Sequence, residues 1–229
     1  MSIRKKFNKL FFKDIHARLV ENLSGQIQVK LSEQDEPNID EYFIQEKTEN
    51  ILDRRVTKIE NSLKVVRNKG HGPLKDKITN KYNITLNPEF DIRILGADYK
   101  MLYAVYEIKS RLSNNSLIKN DIYKDIQRLA ILKALYPKTK CIFILPGLFN
   151  EMKNDFQTKN IDIPHTFNIN QNPNYNRKGG YIIKKIPYNI VVNDYSNLLN
   201  IIGITEIKIR ISQTFKGRRY ILFTYEINI

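Results

Sequence analysis

The sequence predicts an α/β chain, a central mixed sheet flanked by helices, with further strands added after the core. Three observations carry that prediction. Phe90–Leu95 and Met101–Ile108 are short apolar runs joined by Gly96-Ala97-Asp98, which is turn chemistry between two strands. An amphipathic segment, Asp121–Tyr136, then leads to the continuous apolar run Cys141–Leu145, the order of a helical crossover into a buried parallel strand. Finally, 41% hydrophobic and 10% aromatic residues are enough for one sizeable core in 229 residues, so a single domain is expected over 1–229.

Taken in order, residues 3–23 show helical spacing, with Phe7, Leu10, Phe11, Ile15, Leu19 and Leu23 on one face, and Gly25 is expected to end that helix. Residues 24–40 are polar and contain Pro37, which predicts a loop or a short strand over Ile27, Val29 and Leu31. Asp40 is an N-cap candidate for one helix or two reaching Arg67, completing a helical N-terminal part over 1–67. Arg67–Lys81, with glycines and lysines around His71, predicts a basic loop that places Lys69 and Lys75 beside a phosphate backbone, with His71 simply exposed. Ser110–Asn120 is a polar connector, and Asp121–Tyr136 turns Ile122, Ile126, Leu129 and Leu132 inward. Its outward positions include Tyr123, Lys124, Asp125, Gln127 and Arg128.

Residues 157–180 change character: Asn-rich sequence runs into Arg177-Lys178-Gly179-Gly180, a long loop whose Arg177 and Lys178 are candidate nucleic-acid contacts. A C-terminal β elaboration over 181–229 follows. It comprises short strands at Tyr181–Ile186 and Ile190–Val192, a helix closed by Gly203, and a hairpin of Ile204–Ser212 with Tyr220–Ile227.

The net charge of +14 points to a polyanionic partner. One cysteine, Cys141, excludes an internal disulfide and a multi-cysteine zinc site, and three scattered histidines do not supply zinc-ligand spacing. No apolar run near the length of a membrane span and no secretory leader pattern are read, so a cytoplasmic, membrane-free protein is expected. A P-loop, a G-x-S-x-G elbow and a dinucleotide fingerprint are also lacking.

Chemistry concentrates in the first hairpin. Asp91 opens one strand, and Glu107 and Lys109 close the other on one face, so hairpin pairing brings the three together. Gathered carboxylates are costly unless something binds there. A hard divalent cation would relieve that cost, activate a water and neutralise a phosphate oxygen, while the ammonium orients the nucleophile.

Pro88, Asp91, fifteen intervening residues and Glu107-Ile108-Lys109 resemble the PD-(D/E)XK nuclease superfamily, in the style of small type II restriction enzymes. The likeness covers a core of about residues 40–145, and here Glu89 and Phe90 separate the proline from the acid. E-x-K occurs twice more, at Glu151–Lys153 and Glu206–Lys208, but only the first copy has the order strand, turn, strand, helix, strand.

The resemblance implies a restriction-endonuclease-like fold, hydrolysis of DNA phosphodiester bonds, Mg²⁺ (or Mn²⁺) on Asp91 and Glu107, and Lys109 as the catalytic lysine. It also implies a further carboxylate from the preceding helix. Glu41, Glu46, Glu49 and Glu60 are the candidates, of which Glu49 is chosen. A polar residue on the following helix, Lys124 or Gln127, would face the site. A homodimer would set two such sites on opposite strands. The alternatives are a non-catalytic nucleic-acid-binding protein on the same fold, or a sequence-nonspecific defence or repair nuclease.

Overall fold

A computed structural model describes residues 2–33, 39–86, 88–113, 116–167 and 183–229. Arg177 and Lys178, with the Asn-rich stretch before them, lie outside the described residues.

The chain begins with a helical run made of α1 (Ile3–Leu10), a π-helical turn (Phe11–Ile15) and α2 (His16–Ser32). Phe7, Phe11, Ile15, Leu19, Leu23, Ile27 and Leu31 recur every fourth residue, and all seven are buried. In an α-helix each step of four overshoots a turn by about 40°, so the stripe winds around the axis. The wider π turn takes back part of that drift and keeps the stripe on the sheet. This period also explains why the helix runs through Gly25, where the sequence predicted its end. Ile27 and Leu31 continue the buried stripe, so 24–32 is helix rather than loop or strand.

The remaining elements are α3 (Glu41–Ile59), β1 (Lys64–Gly70), α4 (Gly72–Tyr82), β2 (Glu89–Leu95), β3 (Leu102–Ile108), α5 (Lys119–Leu135), β4 (Lys140–Leu148), α6 (Phe149–Thr158), β5 (Ile183–Pro187), α7 (Asp194–Ile202), β6 (Glu206–Lys216) and β7 (Tyr220–Asn228). They build one seven-stranded mixed sheet in the order β1-β2-β3-β4-β7-β6-β5. Among the described strands the single parallel pair is β3–β4, joined by α5, and every other neighbour is antiparallel.

Helices cover both faces. One apolar cluster packs α5 and α7 against Val105, Phe143, Phe223 and Ile209, and the other packs α1, α2 and α3 against Ile92, Ala104, Ile142 and Leu222. The outcome is the predicted α/β architecture with a mixed sheet and flanking helices. Among the described residues no helix is long and apolar enough to cross a membrane.

Further expectations are corrected, first the helix reaching Arg67: α3 stops at Ile59 and β1 begins at Lys64. Arg67–Lys81 is not a loop: it holds the end of β1 and all but the last residue of α4. β1 was hidden because it is an edge strand with only Val65 and Val66 apolar among basic residues, the usual protection of an unpaired edge. α4 begins at Gly72-Pro73 and buries Leu74 and Ile78, four apart. His71 is consequently buried beneath it, its ring against Tyr136 and its Nδ1 3.3 Å from the Arg93 guanidinium. Ile190–Val192 is a bend rather than a strand, and leads into the Asn193 capping box of α7.

Candidate active site

The β2–β3 hairpin pairs in the register Ile92↔Tyr106, Arg93↔Val105 and Ile94↔Ala104. Continued one step further from the turn, the same register sets Asp91 opposite Glu107. The ladder ends there: Asp91 Oδ2 accepts a 2.6 Å hydrogen bond from the Ile108 N–H, while the Lys109 N–H donates to Ile144 O of β4. Asp91 Oδ1 accepts from Gln45 Nε2 at 3.0 Å, and Gln45 Oε1 accepts from Asn68 Nδ2 at 3.1 Å. Asn68 is a left-handed residue (φ 46°) next to Lys69 on β1. The acid is thus fixed from α3 on one face of the sheet and from β3 within it.

Glu107 is 1% exposed. Its Oε2 accepts from Arg128 Nη2 at 2.6 Å, its Oε1 is buried with no N–H donor on it, and its carboxyl is within hydrogen-bonding reach of the Asp91 carboxyl. Arg128 also reaches Asp125 Oδ1 at 2.8 Å, one turn back on α5. The Lys109 ammonium lies between Asp125 Oδ2 and Glu41 Oε1, 3.5 Å from each. Four carboxylates (Glu41, Asp91, Glu107, Asp125) therefore meet two cations (Lys109, Arg128), a net charge of −2 when all are ionised.

The electrostatics follow from burial. Burial raises the pKa of Asp91 above the usual carboxylate range, against the pull of the Ile108 N–H, Lys109 and Arg128. Glu107 is pushed well up by burial, and by Asp91 and Asp125 beyond what Arg128 offsets. Asp125 and Glu41 are also raised, first by burial. Burial alone would lower Lys109, but Asp125, Glu41, Asp91 and Glu107 together raise it, so the side chain stays an ammonium at neutral pH.

The cluster opens into a cavity of about 420 Å³ lined by Asn68, Glu89, Phe90, Asp91, Lys109, Asp121, Lys124, Asp125 and Arg128. A cavity of similar size at the other end of the hairpin is walled by Met101, Leu102, Leu135, Tyr136 and Pro137, and its charged lining, Arg4, Asp98, Lys100 and Lys138, holds one acid and no carboxylate cluster.

Of the residues singled out in the sequence, Asp91, Glu107 and Lys109 come together. Lys124 is exposed and lines the same cavity, and Lys69 pairs with Phe90 next to Asp91. Lys75 is exposed on α4. Glu49 is not with them: its carboxylate meets Arg67 at 3.2 Å. Glu41 makes the contact with Lys109, because Glu49 lies eight residues, about 12 Å, further along α3. On α5 the residues turned to the site are Asp125 and Arg128, not Gln127, whose Nε2 donates to Tyr188 O and Val191 O at 2.7 and 2.9 Å. Tyr123, Asp125 and Gln127 are all buried, contrary to the expected outward face. The signal for Asp125 and Arg128 was present: an acid and a base three apart, flanking the Ile122/Ile126/Leu129 stripe. Gln45 and Asn68 had no sequence signal.

Comparison with protein-family models, with curated proteins and with solved structures finds no match to this chain.

Among the described residues no three His, Cys, Asp or Glu side chains are grouped as a ready cation site. The donor chemistry nevertheless fits a hard ion that uses one or two carboxylates and completes its shell with water. Asp91 and Glu107 are adjacent oxygen donors, Glu107 Oε1 is buried with no N–H donor on it, and the cluster carries −2 when all its groups are ionised.

Proposed function

We propose that the chain is a divalent-cation-dependent endodeoxyribonuclease of the PD-(D/E)XK kind, with a restriction-endonuclease-like core, acting as a type II restriction enzyme does. The observation that carries the reading is the convergence of Asp91, Glu107 and Lys109 at one end of the β2–β3 hairpin, with Glu107 Oε1 buried and no N–H donor on it. The +14 charge supports a nucleic-acid partner.

Asp91 and Glu107 would hold Mg²⁺ or Mn²⁺, which supplies Lewis acidity and a water of lowered pKa. The chain's own residues do the rest. Asp91 is held ready by the Ile108 N–H and Gln45, so its carboxylate needs no rearrangement to act as a ligand. Lys109 keeps its proton between Asp125 and Glu41. It therefore acts as a fixed positive donor that orients the attacking water and stabilises charge developing on the phosphate. Lys124 and Lys69, exposed beside the cavity and the Asp91 strand, supply the phosphate-backbone attraction that brings duplex DNA to the site.

One observation favours a second reading. Arg128 already neutralises Glu107, as it would in a nucleic-acid-binding module whose acidic residues are only structural. Incubating supercoiled plasmid with Mg²⁺ separates the two. The wild type is expected to cut and Asp91→Ala and Lys109→Ala not to, while all three bind DNA. Binding without cleavage by the wild type sustains the module instead. Discrete fragments identify a restriction enzyme, and a smear, with methylated DNA degraded alike, a nonspecific nuclease.

A further inference from the structure

Arg128 is unusual among the residues of the cluster in how it is held. Toward the acids a single nitrogen, Nη2, serves both Glu107 Oε2 and Asp125 Oδ1, the Tyr195 side chain also hydrogen-bonds the guanidinium, and Nε is buried without a hydrogen-bond partner. Strong guanidinium–carboxylate pairs are bidentate, with two parallel N–H donors on one carboxylate. Here the contact is end-on, and the guanidinium lines the open cavity, 5.7 Å from the Phe90 ring centroid. Removing it from Glu107 would free both oxygens of that acid beside Asp91, while Asp125 would keep Lys109 as a partner.

We propose that Arg128 is a positioning residue that occupies the cation's place in the free protein, yields it when a divalent cation binds, and turns its guanidinium into the cavity toward a DNA phosphate. This deepens the nuclease reading and rests on it. Arg128 holds Glu107 through Oε2, so a cation that takes both Glu107 oxygens displaces it, and cation entry and Arg128 release are then one exchange. A phosphate that captures the released guanidinium draws the exchange forward, and by linkage cation and DNA then strengthen each other's binding.

The test is calorimetric titration of Ca²⁺ into the full chain, wild type and Arg128→Met, with and without a short duplex. Without DNA, Arg128→Met is expected to bind Ca²⁺ at least about tenfold more tightly, since a like charge at contact distance costs more than one decade of affinity even in a screened site. DNA should tighten Ca²⁺ binding in the wild type and much less in the variant. A variant that binds Ca²⁺ no more tightly overturns the exchange while leaving the nuclease reading intact if the wild type still binds Ca²⁺ and cuts with Mg²⁺. Absence of cation binding by either protein removes both.

Should Arg128→Met not fold, the wild type answers alone. The Arg128 Nε–H resonance, assigned with Arg128→Lys, is expected to lose its protection from solvent exchange at Ca²⁺ saturation. A resonance unchanged at saturation overturns the proposal.

Discussion

Replacing Asp91 by asparagine separates a functional acid from a structural one, because the two roles predict opposite changes in stability. With all four acids ionised, Asp91 in the cation-free protein faces three carboxylates (Glu41, Glu107, Asp125) and two cations (Lys109, Arg128), one repulsive pair in excess. At a separation of about 5 Å and an effective dielectric constant of about 20, one unit pair is worth about 3 kcal/mol. Asparagine keeps an acceptor for the Ile108 N–H, but the bonds from Ile108 and Gln45 lose their charge assistance, about 1 kcal/mol each. The balance is a variant about 1 kcal/mol more stable than the wild type, in keeping with burial that already raises the Asp91 pKa. Urea unfolding in the presence of a chelator measures it. Cleavage with Mg²⁺ should meanwhile fall by about a thousandfold or more, since the substitution removes a cation ligand. A variant less stable by about 1 kcal/mol that still cleaves within tenfold of the wild type would refute the reasoning, leaving Asp91 a cap on the end of β3.

Lys109→Met should bind DNA and Ca²⁺ at least as well as the wild type yet cleave about 10²- to 10³-fold more slowly, read by single-turnover kinetics; unchanged cleavage removes Lys109 from the chemistry. Arg111→Ala breaks a buried pair with Asp155 (2.8 Å) and a contact with Glu151 (2.6 Å) away from the site. It should cost about 3 kcal/mol of stability with activity per folded molecule retained, as thermal unfolding and assays well below the melting transition would show. His16 is fully buried on Ser212 and Thr224, and burial lowers its pKa from 6.5 to about 3. The unfolded chain therefore takes up a proton below pH about 6.5 that the folded chain refuses, so this stability is present above that pH and lost as pH falls. By pH 5 the loss is about 2 kcal/mol, and His16→Gln should abolish that part of the slope in urea unfolding at pH 7 and pH 5. Equal slopes in the two proteins would contradict the assignment.

How much was legible in the sequence depended on whether a residue's role was fixed locally. The β2–β3 hairpin, α5, β4 and the β6–β7 hairpin announce themselves because apolar period, turn residues and breakers agree along short stretches. The trio of Asp91, Glu107 and Lys109 was legible for the same reason: hairpin pairing converts sequence order into proximity. β1 was hidden because an edge strand protects itself with charge, and the extension of α2 because Gly25 outweighed the spacing of Leu23, Ile27 and Leu31. The choice of Glu49 over Glu41 failed on geometry that only tertiary packing sets, namely which end of α3 approaches Lys109. Asp125 and Arg128 were read as outward because charged residues beside an apolar stripe are ordinarily solvated. In this fold the end of the sheet opposite α5 is itself charged, so burying them completes a cluster.

Anomalous diffraction from crystals grown with Mn²⁺ tests the central claim most directly. A peak is expected against the Asp91 and Glu107 carboxylates, with the Arg128 guanidinium withdrawn from Glu107. Saturating Mn²⁺ that leaves this position empty, with Arg128 still on Glu107, would contradict it.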